Sequence, residues 1–81
     1  MIKKEYVMCD KCFIRQVNRA YHDMQLLLII QSLKDDCNYK YVYIKDLEVD
    51  IDRVIKLVHD LIMKNASCSL IKETILDKNS Y

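Results

Sequence analysis

The sequence contains no glycine, no proline and no tryptophan. Without glycine, the chain lacks the glycine-rich loops that cradle phosphate groups and the glycine-based two-residue turns of many hairpins. Without proline, cis-proline corners are excluded. The turns must therefore be made by asparagine, aspartate, lysine and serine, which cluster at residues 35–38 and 78–80.

A strong charge of one sign is also lacking, because the formal net charge of the 81 residues is +1. A near-neutral chain argues against a protein whose affinity comes mainly from neutralising phosphates. The basic residues are nevertheless concentrated near the N-terminus, where a local basic patch can form. Lysine exceeds arginine and alanine is scarce, which suggests an AT-rich genome such as that of a low-GC bacterium, a virus or a mobile element.

Long hydrophobic runs are the third absence, since the longest purely apolar run spans residues 26–30. Neither a signal peptide nor a membrane span is expected from so short a run. Hydrophobic residues still make up 52% of the chain, enough for a core. We therefore expect one small cytoplasmic domain over residues 1–81, with residues 1–10 as a flexible or packed N-terminal arm.

The clearest element is a helix over residues 50–65, in which branched side chains recur at helical spacing on one stripe. Asp50 is the expected N-cap, because its carboxylate can accept a bond from a free N–H of the first turn. Lys64 and Asn65 suit the C-terminal end. This helix is predicted to be a core element.

A second helix is predicted over residues 12–34, and its apolar residues form two stripes. The first stripe is Ile14, Val17, Tyr21, Met24 and Leu28; the second is Leu26, Ile29, Ile30 and Leu33. A helix that is apolar on two sides must be sandwiched or must meet another chain. Two interpretations follow: a central helix wrapped by the rest of the chain, or a partner-binding surface made by the second stripe.

The same helix carries Lys11, Arg15 and Arg19 at four-residue spacing, and we call these three residues the basic ridge. The ridge could contact phosphates or an acidic protein surface. A solvated helix face is the alternative.

The remaining segments predict short strands, so the fold class is α+β. Residues 39–45 alternate tyrosines with lysine and aliphatic residues, the period-two pattern of a strand. Residues 67–77 are rich in β-branched side chains and are predicted to form one or two strands. Between Ile44 and Asp50 there is space for about one turn of helix.

Cys9 and Cys12 form a CxxC motif, whose spacing suits zinc or a redox pair. A structural zinc needs a second ligand pair, and Cys37, Cys68, His22 and His59 are isolated in the sequence. A redox site of the thioredoxin type would require a strand before the motif and a longer α/β chain, and neither is evident in the sequence. Ordinary reduced thiols are therefore expected, with no metal and no cofactor.

The segment VYIKDLEVDIDRVIKLVHDLIMKN resembles the strand, turn and recognition helix of a winged helix-turn-helix, and SCSLIKETILDKNS would be its wing. The resemblance covers about residues 41–80. It implies a small winged-helix-like domain in which Arg53, Lys56 and Lys64 face the DNA major groove while Lys72 or Lys78 contacts the backbone. Asp46, Glu48, Asp50 and Asp52 would repel phosphates there, which favours a protein-binding version.

The leading interpretation is a small non-enzymatic regulatory protein that binds a protein partner or forms a homodimer. Its contact residues would be the second stripe and the basic ridge. The alternative is a winged-helix-like nucleic-acid-binding regulator that uses Arg53, Lys56, Lys64 and Lys72. No catalytic residue, membrane contact or small-molecule substrate is predicted, because nothing places a nucleophile beside a base.

Overall fold

The computed structural model describes residues 6–81, which form an α+β domain with a mixed three-stranded sheet, as the sequence predicts. In chain order its elements are β1 (Val7–Met8), α1 (Asp10–Asn18), α2 (Asp23–Asp35), β2 (Tyr41–Ile44), β3 (Leu47–Asp50), α3 (Ile51–Met63), α4 (Cys68–Ile75) and a 3₁₀ turn (Lys78–Ser80). The strand order is β1-β2-β3: β1 is parallel to β2, and β3 is antiparallel to it. Half of the predicted N-terminal arm, residues 1–5, lies outside the described residues.

The single helix predicted over residues 12–34 is wrong, because the chain breaks between Asn18 and Asp23. His22 starts α2: its ring nitrogen Nδ1 accepts the backbone N–H of Gln25 at 3.3 Å. Gln25 in turn accepts the backbone N–H of Tyr21 through its side-chain oxygen at 2.8 Å. These reciprocal bonds resemble a capping box, with histidine in the position where serine or threonine is usual. Ala20 is buried at the break.

The helix predicted over residues 50–65 is confirmed as α3. The Asp50 carboxylate accepts the backbone N–H of Asp52 at 2.8 Å, so Asp50 is the N-cap. At the other end the backbone N–H of Ala66 donates to the carbonyl of Leu61 at 3.0 Å. Asn65 has a left-handed φ of 60°. This is a Schellman motif in which asparagine replaces the usual glycine.

The strand predicted over residues 39–45 is confirmed as β2, and the segment after Ile44, where about one turn of helix would fit, forms a second strand instead. The chain forms a β-hairpin in which Ile44 pairs with Leu47. The two turn residues, Lys45 and Asp46, have φ values of 48° and 69°. Two consecutive left-handed residues are the signature of a type I′ turn, whose twist matches that of the flanking strands.

The strands predicted over residues 67–77 are also wrong, because this segment is α4. Ser67 is its N-cap and accepts the backbone N–H of Leu70 through Oγ at 3.1 Å. Ile71 and Ile75 are one helical turn apart and fully buried, so their contacts with the core override the strand preference of their branched side chains. The segment that the winged-helix resemblance assigns to the wing is therefore helical.

The core lies between the sheet and the four helices that the described residues form, and α2 packs mainly against α3. Three members of the second stripe, Leu26, Ile30 and Leu33, are buried in this core. For Leu26 and Ile30 the prediction of a partner contact is corrected, because the rest of the chain covers both side chains completely. Leu33 is 6% exposed and also borders the groove described below. Ile29 is half-buried at the edge of the core.

Candidate protein-binding groove

A groove of about 540 Å³ lies between α1 and α2. Its apolar lining is Met8, Leu28, Ile29, Leu33 and Tyr39, and its polar lining is Gln16, Arg19, Gln25, Ser32 and Cys37. A lining that combines apolar and polar side chains suits a groove that accepts a peptide segment.

The face of α2 that points away from the core continues this groove with exposed apolar side chains. Met24 and Leu28 are one helical turn apart and are 50% and 60% exposed. Tyr21, just before the helix, is 87% exposed. We call these three residues the outer strip. The sequence places apolar residues of α2 on two stripes. In the structure, the exposed residues of the outer strip all come from the first of those two stripes.

The basic ridge lies on the exposed side of α1. Lys11, Arg15 and Arg19 are all exposed, and Arg19 keeps helical backbone angles as the C-cap, so the four-residue spacing holds over the whole ridge. No carboxylate among residues 6–81 lies within ion-pair distance of any of the three. The Arg19 guanidinium donates to Gln16 Oε1 at 3.0 Å, and both residues line the groove.

The predicted contact residues are therefore divided. Arg19, Ile29 and Leu33 line the groove; Lys11 and Arg15 lie on the adjoining exposed face of α1; Leu26 and Ile30 are in the core. Gln16 and Gln25 were not predicted as contact residues, because no sequence pattern connects the two positions. Both line the groove. Gln16 accepts from Arg19 at the end of α1, whereas the bond from the Tyr21 N–H to Gln25 lies at the break between α1 and α2.

The residues predicted for nucleic acid lie elsewhere. Arg53 and Lys56 line a cleft of about 320 Å³ together with Asp60 and Tyr81. A neighbouring cleft of about 330 Å³ shares Arg53 and Tyr81 and adds the exposed ring of Tyr41. Lys64 caps the end of α3 and Lys72 is half-buried on α4, and neither lines these two clefts.

Tyr81 is a cleft residue that sequence reasoning missed, because no periodic pattern reaches it. Its hydroxyl donates to the Ile75 carbonyl at 3.0 Å, which fixes the ring against the end of α4. Burial raises the pKa of Tyr81, since a phenolate would be poorly solvated there.

The two histidines lie on different elements. His22 caps α2, whereas His59 is exposed on α3. Within residues 6–81, no group of three or more histidine, cysteine, aspartate or glutamate side chains is arranged to hold a metal ion. Among the same residues, no helix has the length and apolar character needed to cross a membrane.

Comparison of the chain with protein-family models, with curated proteins and with solved structures found no match. The winged helix-turn-helix resemblance stays a prediction.

Proposed function

We propose that this chain is a small non-enzymatic regulatory or interaction protein that binds a protein partner in the groove between α1 and α2. The observation that carries the proposal is an apolar groove bordered by the unpaired basic ridge and continued by the exposed outer strip. Four free cysteines favour a reducing compartment, and the cytoplasm is the proposed location.

The chemistry of the groove supports one class of partner. The apolar lining and the outer strip suit aliphatic or aromatic anchors spaced one helical turn apart, as in an amphipathic helix laid into a groove. The basic ridge suits acidic side chains along one flank of that helix, because opposite charges speed association and fix its orientation. The proposed partner is therefore an acidic amphipathic segment of another protein.

Charge favours such a partner over a second copy of this chain. In a two-fold symmetric dimer the same patch faces itself, so this surface would bring two basic ridges together. Like charges at an interface oppose association. An acidic partner removes this repulsion and supplies carboxylates for Lys11, Arg15 and Arg19.

The test uses two synthetic amphipathic peptides with the same leucine spacing, one with glutamates and one with lysines on the polar face. The protein should bind the acidic peptide more tightly, and salt should weaken that binding. In fluorescence anisotropy, Leu28→Glu and Arg19→Glu should each reduce affinity at least about tenfold. Leu70→Glu is the matched control, because Leu70 is 50% exposed on α4 and does not line the groove.

Two results would contradict the proposal. Equal affinity for the two peptides would show that charge does not select the partner. A dimer in light scattering that Leu28→Glu converts to a monomer would show that the surface belongs to self-association instead.

Nucleic-acid binding is the second candidate, and one observation favours it: Arg53 lines two clefts with the aromatic rings of Tyr41 and Tyr81. Aromatic rings beside a guanidinium can stack on unpaired bases. Asp50 and Asp60 line the same clefts and would repel phosphates.

If this function is present, Arg53→Glu but not Arg19→Glu should abolish binding to a short single-stranded DNA at low salt. Absence of binding to single-stranded and duplex DNA or RNA at low salt would rule it out.

A further inference from the structure

The CxxC motif lies at the junction between a strand and a helix, a context that was not evident in the sequence. β1 ends at Met8, Cys9 follows it, and α1 begins at Asp10. Cys9 is the N-cap: its Sγ accepts the backbone N–H of Cys12 at 3.4 Å. Both cysteines are exposed, so another molecule can reach either sulfur.

The two thiols differ in acidity because of how they interact. Interaction with the Cys12 side chain lowers the pKa of Cys9, and the Cys12 backbone N–H, which donates to Cys9 Sγ at 3.4 Å, lowers it further. The Asp10 carboxylate opposes the effect. The same interaction with Cys9 raises the pKa of Cys12, and the Arg15 guanidinium partly offsets this rise. Cys9 is therefore the thiol that ionises first, and a thiolate is the reactive form of cysteine.

We propose that Cys9 and Cys12 are a redox-active dithiol that exchanges with disulfides of small thiols or of other proteins. Cys9 is the attacking thiolate and Cys12 is the resolving thiol. This assignment is independent of the groove and of its partner.

The exchange balances in two steps. The Cys9 thiolate attacks one sulfur of an external disulfide, the external S–S bond breaks, and one external thiolate leaves. Cys12 then loses its proton and attacks the Cys9 sulfur of the mixed disulfide, which releases the second external thiolate. The dithiol is oxidised to the Cys9–Cys12 disulfide, the external disulfide is reduced to two thiols, and the two cysteine protons end on the departing sulfurs.

The other two cysteines lack these features. Cys37 is exposed after α2 and Cys68 is half-buried at the first position of α4, where Ser67 is the N-cap. In the part of the chain that the structure describes, no second cysteine is bonded to either of them. A zinc site at Cys9 and Cys12 would need further ligands, and residues 6–81 provide no metal-binding group there. The pair alone is sufficient for disulfide exchange.

The test uses the Cys37→Ser/Cys68→Ser protein and oxidised glutathione as the probe. We expect mass spectrometry to show loss of two hydrogens without a stable glutathione adduct, reversed by dithiothreitol. With Cys12→Ser added, the glutathione adduct should accumulate on Cys9, because no thiol resolves it. With Cys9→Ser added, the reaction should slow about tenfold or more, since the more acidic thiol is gone.

The variants keep the result interpretable, because serine is itself a preferred N-cap and Cys9→Ser should preserve the start of α1. Circular dichroism checks that point. Two outcomes would overturn the proposal: stable glutathione adducts without an internal disulfide in the Cys37→Ser/Cys68→Ser protein, or alkylation of Cys9 in that same protein that is no faster than alkylation of Cys12.

Discussion

Among residues 6–81, four adopt left-handed backbone angles that glycine normally supplies: Asn38, Lys45, Asp46 and Asn65, with φ between 48° and 69°. Asparagine and aspartate tolerate this region better than other side chains do, whereas lysine has no such advantage. A left-handed conformation costs about 1–2 kcal/mol for an ordinary residue. The hairpin turn therefore carries strain, and burial of Val42, Ile44 and Val49 in the adjoining strands offsets it.

Asp46→Gly should stabilise the protein by up to about 1 kcal/mol, because glycine enters the left-handed region without a steric penalty. Asp46→Ala at the same exposed position should destabilise it, since alanine keeps the penalty and loses the local tolerance of aspartate. Urea denaturation followed by circular dichroism measures both. A gain in stability for the alanine variant would contradict the type I′ assignment.

Tyr81 should make stability fall at high pH. Its pKa is raised by burial, so the neutral phenol is favoured in the folded state and its contribution is fully present below the ordinary value of about 10. As the pH rises above that value, the unfolded phenol ionises first and the contribution is progressively lost.

The test is Tyr81→Phe, which removes the titrating group and the bond to the Ile75 carbonyl. This variant should cost about 1 kcal/mol at neutral pH, and its disadvantage should shrink between about pH 9 and pH 11. The free energy of unfolding of both proteins across that range provides the measurement. A difference that stays constant would show that Tyr81 titrates normally in the folded state.

Among the elements, sequence patterns predicted α3 and β2 because both carry their own signals. α3 has a long apolar stripe and an aspartate cap, and β2 alternates in steps of two. α4 was not predicted, because its eight residues are too few to show a helical stripe against their β-branched content, and its two buried isoleucines are helical only through tertiary contacts. The break before α2 was not predicted either, because histidine is not a usual N-cap.

The candidate site could be predicted only in part, for a related reason. Periodicity shows that α2 has two apolar stripes, but not which one the rest of the chain covers. The core buries Leu26, Ile30 and Leu33, whereas Met24 and Leu28 are left exposed. The basic ridge was visible because charged residues at four-residue spacing need no tertiary information, whereas the groove beside it depends on how α1 turns into α2.

The helical assignment of α4 gives a mutational test. Ile75→Ala should lower the free energy of unfolding by about 2–5 kcal/mol, because it deletes fully buried methyl groups. Leu70→Ala, at an exposed position five residues earlier, should change it by no more than about 0.5 kcal/mol. Chemical denaturation compares the two. Equal losses would mean that Leu70 also faces the core, which the helix does not allow.

At the scale of the whole molecule, β2 is the central strand of the sheet and pairs with β1 on one side and β3 on the other. The β1 pairing is non-local, since Val7 lies opposite Tyr41 with α1 and α2 between them in sequence. It is also short, because β1 has two residues in the part of the chain that the structure describes. The β2–β3 pairing spans four residue pairs through a tight turn.

This arrangement predicts an order of local stability that hydrogen exchange can measure. Backbone amides of β2, α2 and α3 should exchange only through global unfolding, because these elements surround the buried core and pack against one another. Amides of β1 and of the exposed 3₁₀ turn should exchange faster, through local opening that leaves the β2–β3 hairpin intact. Asp46→Gly provides the control: it should raise protection in β2 and α3 by the same free energy as it adds to global stability, and should leave the exchange of the 3₁₀ turn unchanged. Equal protection of β1 and β2 would mean instead that the sheet opens as one cooperative unit and that the parallel pairing is as strong as the hairpin.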